Sequence, residues 1–209
     1  MARIAVTDGM APEAVTVLEK AGHEVVLGFI ESEDLLSGAL ENFDAIIVRS
    51  ATKLTSDVIE SSSSLSVIGR AGVGVDNIDL EAAGKAGIMV ANAPNSSTQS
   101  VVELTIGHLI SSLRHVARAD RGLRNNLWEK KQLKGTELSG KCLGLIGFGR
   151  IAQGVASVAK AMGMEIHTYD PYLPPKVAKA QGAYPVSYTH LRAHETRGNR
   201  VCRGGREKK

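Results

Sequence analysis

The chain has 209 residues, 43% hydrophobic and 4% aromatic, an ordinary globular composition that affords a sizeable core in one large domain or two small ones. Its formal charge of +3 is lopsided: residues 186–209 hold five Arg and two Lys against two Glu, leaving 18 basic against 20 acidic residues in the body, which argues against a nucleic-acid binder. The opening MARIAVTDGM is too short and polar for a secretory or membrane segment, so a cytoplasmic location with no membrane partner is expected; Cys142 and Cys202, sixty residues apart, suggest neither a disulfide framework nor a zinc site.

Short apolar runs alternate with helix-period segments from the start. Strands are expected at Arg3 to Thr7, Glu24 to Leu27, Ala45 to Arg49, Val67 to Arg70 and Ile88 to Asn92. Between them, helices are expected at Pro12 to Ala21, Glu31 to Leu40, Ser56 to Ser61 and Leu80 to Ala86. Asp76 and Asp79 read as N-capping groups rather than a ligand pair. The turn cluster at 92–98 marks a domain boundary, placed between residues 94 and 95. An uninterrupted helix from about Ser100 to Asn125 follows, with Val102, Ile106, Leu109, Leu113 and Val116 on one stripe and His108 and His115 sharing a face. Trp128 reads as an interface or packing anchor. A second series runs strand Cys142 to Ile146, helix Arg150 to Met162, strand Glu165 to Asp170 and helix Lys176 to Gly182, with Cys142 as a buried small hydrophobe. Alternating βα units imply mostly parallel, doubly wound sheets.

The most informative segment is Leu143 to Ala152, an apolar strand running directly into G-x-G-x-x-A and a helix. Gly147 permits the tight turn, Gly149 lets backbone approach a pyrophosphate, and the small Ala152 lets helix pack on strand. Phe148, Arg150 and Ile151 would contribute mainly backbone amides at a helix N-terminus, with Arg150 adding charge. Asp170, 21 residues after Gly149, ends the next strand where a carboxylate accepts ribose hydroxyls. No Arg flanks it in Tyr169-Asp-Pro-Tyr to compensate a 2′-phosphate, so NAD is the expected cofactor rather than NADP.

Six motifs in order, Val48-Arg-Ser-Ala-Thr-Lys, Gly69-Arg-Ala-Gly-Val-Gly-Val-Asp-Asn-Ile-Asp, Asn92-Ala-Pro-Asn, Gly135-Thr-Glu-Leu-Ser-Gly-Lys, Gly147-Phe-Gly-Arg-Ile and Tyr169-Asp-Pro, resemble the D-isomer specific 2-hydroxyacid dehydrogenases, the 3-phosphoglycerate dehydrogenases in particular. The resemblance runs from about residue 3 to 185. It implies an α/β protein of two doubly wound parallel-sheet domains: a flavodoxin-like substrate-binding domain at 1–94 and, at 95–185, the first half of an NAD-binding Rossmann domain. It further implies that Arg49, Ser50 and Arg70 hold a small phosphorylated 2-hydroxyacid, with the backbone of Ala71, Gly72, Val73 and Gly74 approaching its carboxylate and the nicotinamide. Two arginines at strand C-termini suit bidentate anion recognition. Asn92, Asn95 and Ser97 lie where the family's hinge meets substrate, and the whole protein is expected to be a homodimer or larger homo-oligomer.

In the family, a His base, its Glu partner and a substrate-gripping Arg come later in sequence, so no catalytic residue is assigned in this chain and the chain alone is expected to be inactive. After Pro185 the segment Val186-Ser-Tyr-Thr-His-Leu-Arg-Ala-His-Glu-Thr resembles translated adapter DNA from library preparation. Residues 186–209 are therefore expected to be a non-native tail, and the H-x-x-x-H of His190 and His194 beside Glu195 is not read as a metal site. Two other readings stay open: a glyoxylate-, lactate- or formate-type dehydrogenase, and a non-enzymatic NAD-binding regulator on the same scaffold.

Overall fold

Short apolar runs become parallel strands in both halves of the chain. The computed structural model describes residues 1–28 and 30–193. It divides into two units, Met1–Ser97 and a second beginning at Thr98, three residues beyond the boundary expected from the turn cluster.

In the first unit β1 (Arg3–Val6), β2 (Glu24–Leu27), β3 (Ala45–Val48), β4 (Val67–Arg70) and β5 (Met89–Asn92) form one sheet in the order β2-β1-β3-β4-β5. All neighbours are parallel, with Ile4 opposite Val25 and Ala45, Val48 opposite Arg70, and Arg70 opposite Asn92. This is the flavodoxin-like order, whose direction of winding reverses between β1 and β3. Ile46, Val48 and Ile68 are wholly buried, joined by Leu35, Leu40, Leu54 and Ile59 from the connections.

The connecting helices are short. They are α1 (Pro12–Lys20), with Pro12 at its first position, α2 (Ser32–Leu36), α3 (Ser56–Glu60) and α4 (Leu80–Lys85). Asp79 caps α4 by accepting from the Ala82 amide at 2.9 Å, as its spacing predicts. The helix expected over Glu31 to Leu40 stops four residues early. Gly38 adopts φ 90, a left-handed conformation that ends the helix and turns Leu40 into the core.

The second unit opens with α5 (Thr98–Leu113) and α6 (Val116–Arg124), which correct the expected single helix. His115 lies between them with φ 55, so His108 and His115 do not share one helical face. The freed carbonyl of Leu113 accepts from the Thr136 amide at 2.9 Å, where a Cβ on Gly135 would stand 2.7 Å from that oxygen. Val102 is buried in α5, whereas Val116, beyond the break, is half exposed.

Then come β6 (Cys142–Ile146), α7 (Arg150–Ala161), β7 (Glu165–Tyr169), α8 (Pro175–Ala180), β8 (Tyr184–Pro185) and α9 (Tyr188–Ala193). The strands form a parallel sheet in the order β6-β7-β8. Cys142 is exposed rather than buried, because β6 is an edge strand and Cys142 begins it. The alternation expected to end at Pro185 continues for one more short helix: the Val186 amide bonds Thr168 at 2.9 Å and the Tyr188 ring lies 5.5 Å from that of Tyr169. His194, Glu195 and Cys202 lie outside the described residues. No helix among the described residues is long and apolar enough to cross a membrane.

Candidate functional site

In the first unit the candidate residues collect at the carboxyl ends of β1, β3, β4 and β5, the edge at which open α/β sheets bind ligands. Arg49 follows β3 and Arg70 ends β4, one register position apart on neighbouring strands. Arg49 and Ser50 are exposed, and neither arginine has an ion pair among the described residues. Arg70 folds back over its own loop. A Cβ on Gly72 would overlap its Nη1 and stand 2.7 Å from its Cζ, so glycine there is what admits the guanidinium. Arg70 Nε is buried without a hydrogen-bond partner among the described residues, a donor that protein has not satisfied. The loop beneath is held by backbone: Ala71 N–H donates to Val48 O (2.8 Å), Ala93 N–H to Gly72 O (2.9 Å), and the Asn92 amide group to Val73 O (2.7 Å). Val73 and Gly74 stay exposed. Asn92 therefore shapes the glycine turn, while Asn95 and Ser97 have no comparable side-chain bond there among the described residues.

Sequence reasoning missed Asp8, which follows β1 at the point where the winding reverses. Its Oδ2 accepts the amides of Arg49 (2.6 Å) and Thr52 (3.1 Å), and its Oδ1 accepts the Thr52 hydroxyl (2.6 Å). The Thr52 hydroxyl also lies 2.8 Å from that of buried Thr7. Partial burial works against ionisation of Asp8, but the bonds from Thr52 and Arg49 outweigh it and hold its carboxyl below the usual range. Asn77 was missed as well; its side-chain amide donates to the carbonyls of Arg49 (2.8 Å) and Thr52 (2.7 Å).

In the second unit Gly147 takes φ 84 directly after β6, a conformation that favours glycine. Its amide donates to Tyr169 O at 2.7 Å, which fastens the loop to the end of β7. Gly149 is the N-cap of α7 in extended geometry. The Phe148 side chain is wholly buried in the core, and its N–H donates to Asp170 Oδ2 at 2.8 Å. Phe148 thus anchors the loop rather than presenting its amide outward. Asp170 Oδ1 accepts from Tyr172 (2.9 Å) and Leu173 (3.2 Å), and these amides, Phe148 foremost, hold its carboxyl below the usual range. Gln153, also missed, donates to Phe148 O at 2.8 Å and closes the loop from the helix side. Arg150 and Ile151 lie exposed in the first turn of α7.

These residues fit a dinucleotide. A Cβ on Gly147 or Gly149 would enter open space, so the loop surface is accessible to a close-lying phosphate. The first-turn amides of α7, Ile151 among them, have no intrahelical carbonyl to bond and carry the positive end of a twelve-residue helix dipole. Asp170 accepts three amides, leaving acceptor capacity on a carboxylate with about four lone-pair sites. A separate close contact, helix on helix, is made at Gly154: a Cβ there would stand 2.6 Å from Val102 of α5.

Comparison with known proteins gives a consistent result. The family model described as D-isomer specific 2-hydroxyacid dehydrogenase, catalytic domain, matches residues 4–200. The chain is 48% identical over 182 residues to D-3-phosphoglycerate dehydrogenase of Methanocaldococcus jannaschii, covering 87% of this chain and 34% of that protein. It is 45% identical over 190 residues to hydroxypyruvate reductase of Thermotoga maritima, covering 90% of this chain and 60% of that protein. A solved NAD+-bound 3-phosphoglycerate dehydrogenase of Entamoeba histolytica matches with a TM-score of 0.66 at 35% identity, over 83% of this chain and 55% of that one. The chain therefore spans between a third and three fifths of the length of these relatives.

Proposed function

The chain belongs to the D-isomer specific 2-hydroxyacid dehydrogenases, and we propose that it carries the substrate-holding unit and the adenosine and pyrophosphate half of the NAD site of an enzyme oxidising 3-phosphoglycerate to 3-phosphohydroxypyruvate. NAD, when bound, supplies the hydride acceptor. Gly147 and Gly149 allow the pyrophosphate to approach the backbone, the first turn of α7 donates to its oxygens, and Asp170 receives the ribose hydroxyls. Arg49 and Ser50 hold one anionic group of the substrate, and Arg70 with the Ala71 to Gly74 backbone the other.

The observation that carries this reading is the pair of arginines on neighbouring strand ends, both without an ion pair among the described residues. Two guanidinium groups match a substrate with a phosphate as well as a carboxylate. No histidine stands at the carboxyl ends of these strands, and the 209-residue chain is expected to form no NADH from 3-phosphoglycerate. The location is proposed as cytoplasmic. Self-association of the whole protein is part of the reading, supported by Leu123, Leu127 and Trp128, each more than half exposed on α6 and the loop after it.

Binding, rather than turnover, tests the substrate. Titrating the chain with 3-phosphoglycerate and with glycerate, monitored by amide chemical shifts, should give tighter binding of the phosphorylated acid and shifts at Arg49, Ser50 and Arg70. Equal binding would favour the second reading, a hydroxypyruvate or glyoxylate type enzyme, for which the 45% identity to the Thermotoga maritima reductase speaks.

A further inference from the structure

The loop that carries Arg49 is held from opposite chemical sides by two residues that belong to other elements. Asp8, after β1, accepts the backbone amides of Arg49 and Thr52. Asn77, in the connection between β4 and α4, donates to the backbone carbonyls of the same two residues. One acceptor and one donor thus bracket both ends of the four-residue turn. Neither engages the Arg49 guanidinium.

We propose that Asp8 and Asn77 are positioning residues that clamp the Arg49 to Thr52 turn, so that Arg49 and Ser50 meet the anionic group of the substrate in a fixed geometry. The clamp rests on the reading of Arg49, Ser50 and Arg70 as the anion-holding group. Three features support it. First, the side chains of Asp8 and Asn77 bond only main-chain groups of Arg49 and Thr52 apart from the Thr52 hydroxyl, so they fix where the turn lies without consuming the Arg49 and Ser50 side chains. Second, the negative charge of Asp8 is met by amide dipoles and by the Thr52 hydroxyl, which leaves Arg49 without a carboxylate partner among the described residues. An arginine already paired to a carboxylate would have to break that pair to bind substrate. Third, Leu54, two residues after the turn, exchanges backbone bonds with the neighbouring connection: its amide donates to Asn77 O and its carbonyl accepts from the Asp79 amide, each at 2.9 Å. Asn77 is therefore fixed by main chain before its side chain reaches the turn, and wholly buried Leu54 pins the far end. Holding a binding group in its bound geometry lowers the ordering cost of association, which is where such a clamp acts.

The test uses the full 209-residue chain, with 3-phosphoglycerate as probe and backbone relaxation of residues 49–52 as a readout that needs no ligand. Asp8→Ala should bind at least about tenfold more weakly, with larger-amplitude motion of the turn. Asp8→Asn, whose carbonyl oxygen can take the place of Oδ2, should stay within about threefold of the parent. Asn77→Ser, which loses both donors to the turn, should resemble Asp8→Ala. Arg49→Ala separates the two ideas: unchanged affinity there refutes the anion-site reading. A normal loss in Arg49→Ala with parental affinity and parental turn order in Asp8→Ala and Asn77→Ser overturns the clamp alone. If Asp8→Ala fails to melt cooperatively, Asn77→Ser decides by the same criteria, and if no variant binds the probe, turn order in Asn77→Ser decides.

Discussion

Gly72→Ala is expected to separate binding from stability with opposite signs. A Cβ at this position would overlap Arg70 Nη1 and stand 2.7 Å from Cζ, whereas unbonded carbon atoms settle at about 3.5–4.0 Å. The guanidinium must therefore withdraw by roughly 1 Å at Cζ, and further at the nitrogen. It can do so, because the obstructing atoms are the far end of a flexible side chain and the backbone of Gly72 is not left-handed. The folded state then loses little, while the unfolded chain loses freedom, so stability should hold or rise by about 0.4–1 kcal/mol. The relocated guanidinium no longer lies over the loop, and losing one hydrogen bond to a charged group costs about 1.5–3 kcal/mol. Anion affinity should fall roughly 10- to 100-fold. Thermal melting and titration with 3-phosphoglycerate, run beside Arg70→Ala, measure both effects. Parental affinity in Gly72→Ala together with lost affinity in Arg70→Ala would refute the placement of the guanidinium as the cause.

Three further outcomes are expected. Gly154→Ala should destabilise the second unit by about 1–3 kcal/mol, since its Cβ would stand 2.6 Å from buried Val102; calorimetry should show a melting point several degrees lower. His115→Gly should raise stability by up to about 1 kcal/mol by relieving the left-handed cost of a residue with a Cβ, partly offset by glycine's entropy, and His115→Val should lower it. Asp8 and Asp170 both have carboxyls held below the usual range. Their contribution is thus complete above the unfolded value of about 3.9 and is lost as pH falls through the lower folded values. Acid titration should show stability level down to about pH 5 and declining below about 4, with a shallower decline in Asp8→Asn; a decline already under way at pH 6 would contradict the assignment.

Strands β1 to β7 were legible because each is a short apolar run between punctuating residues, and β2, β4 and β6 begin and end where the run does; β8 was not, being only Tyr184 and Pro185 with no run to read. The glycine loop was legible because its chemistry is local, nine residues from Leu143 to Ile151. The break at His115 was not. The apolar stripe of α5 continues through it to Val116, and no Gly or Pro marks the left-handed residue. Gly38, in contrast, was a visible stop after α2 that the helical pattern around it obscured. Asp8 and Asn77 were invisible for another reason: their partners lie 41 and 44 residues away for Asp8, and 28 and 25 for Asn77. Only the strand order brings them together, and one Asp or Asn carries no motif. Phe148 shows the same limit from the other side, since its position in the loop predicted a ligand contact and its ring became the most bulky wholly buried side chain of the second core.

The central place of β1, between β2 and β3, bears on how the first unit is made. β1 gains its inner neighbour only when Ala45 to Ile47 appears opposite Ile4 to Val6. At about 5–20 residues per second that is roughly 2–8 s after Ile4 itself. Through that interval Ala5 and Val6, among the least exposed residues of the finished unit, have one edge unpaired and are available to a chaperone or to a neighbouring nascent chain. Once the sheet closes, β1 is bonded on both edges, and its amides should be among the last in the unit to exchange with solvent.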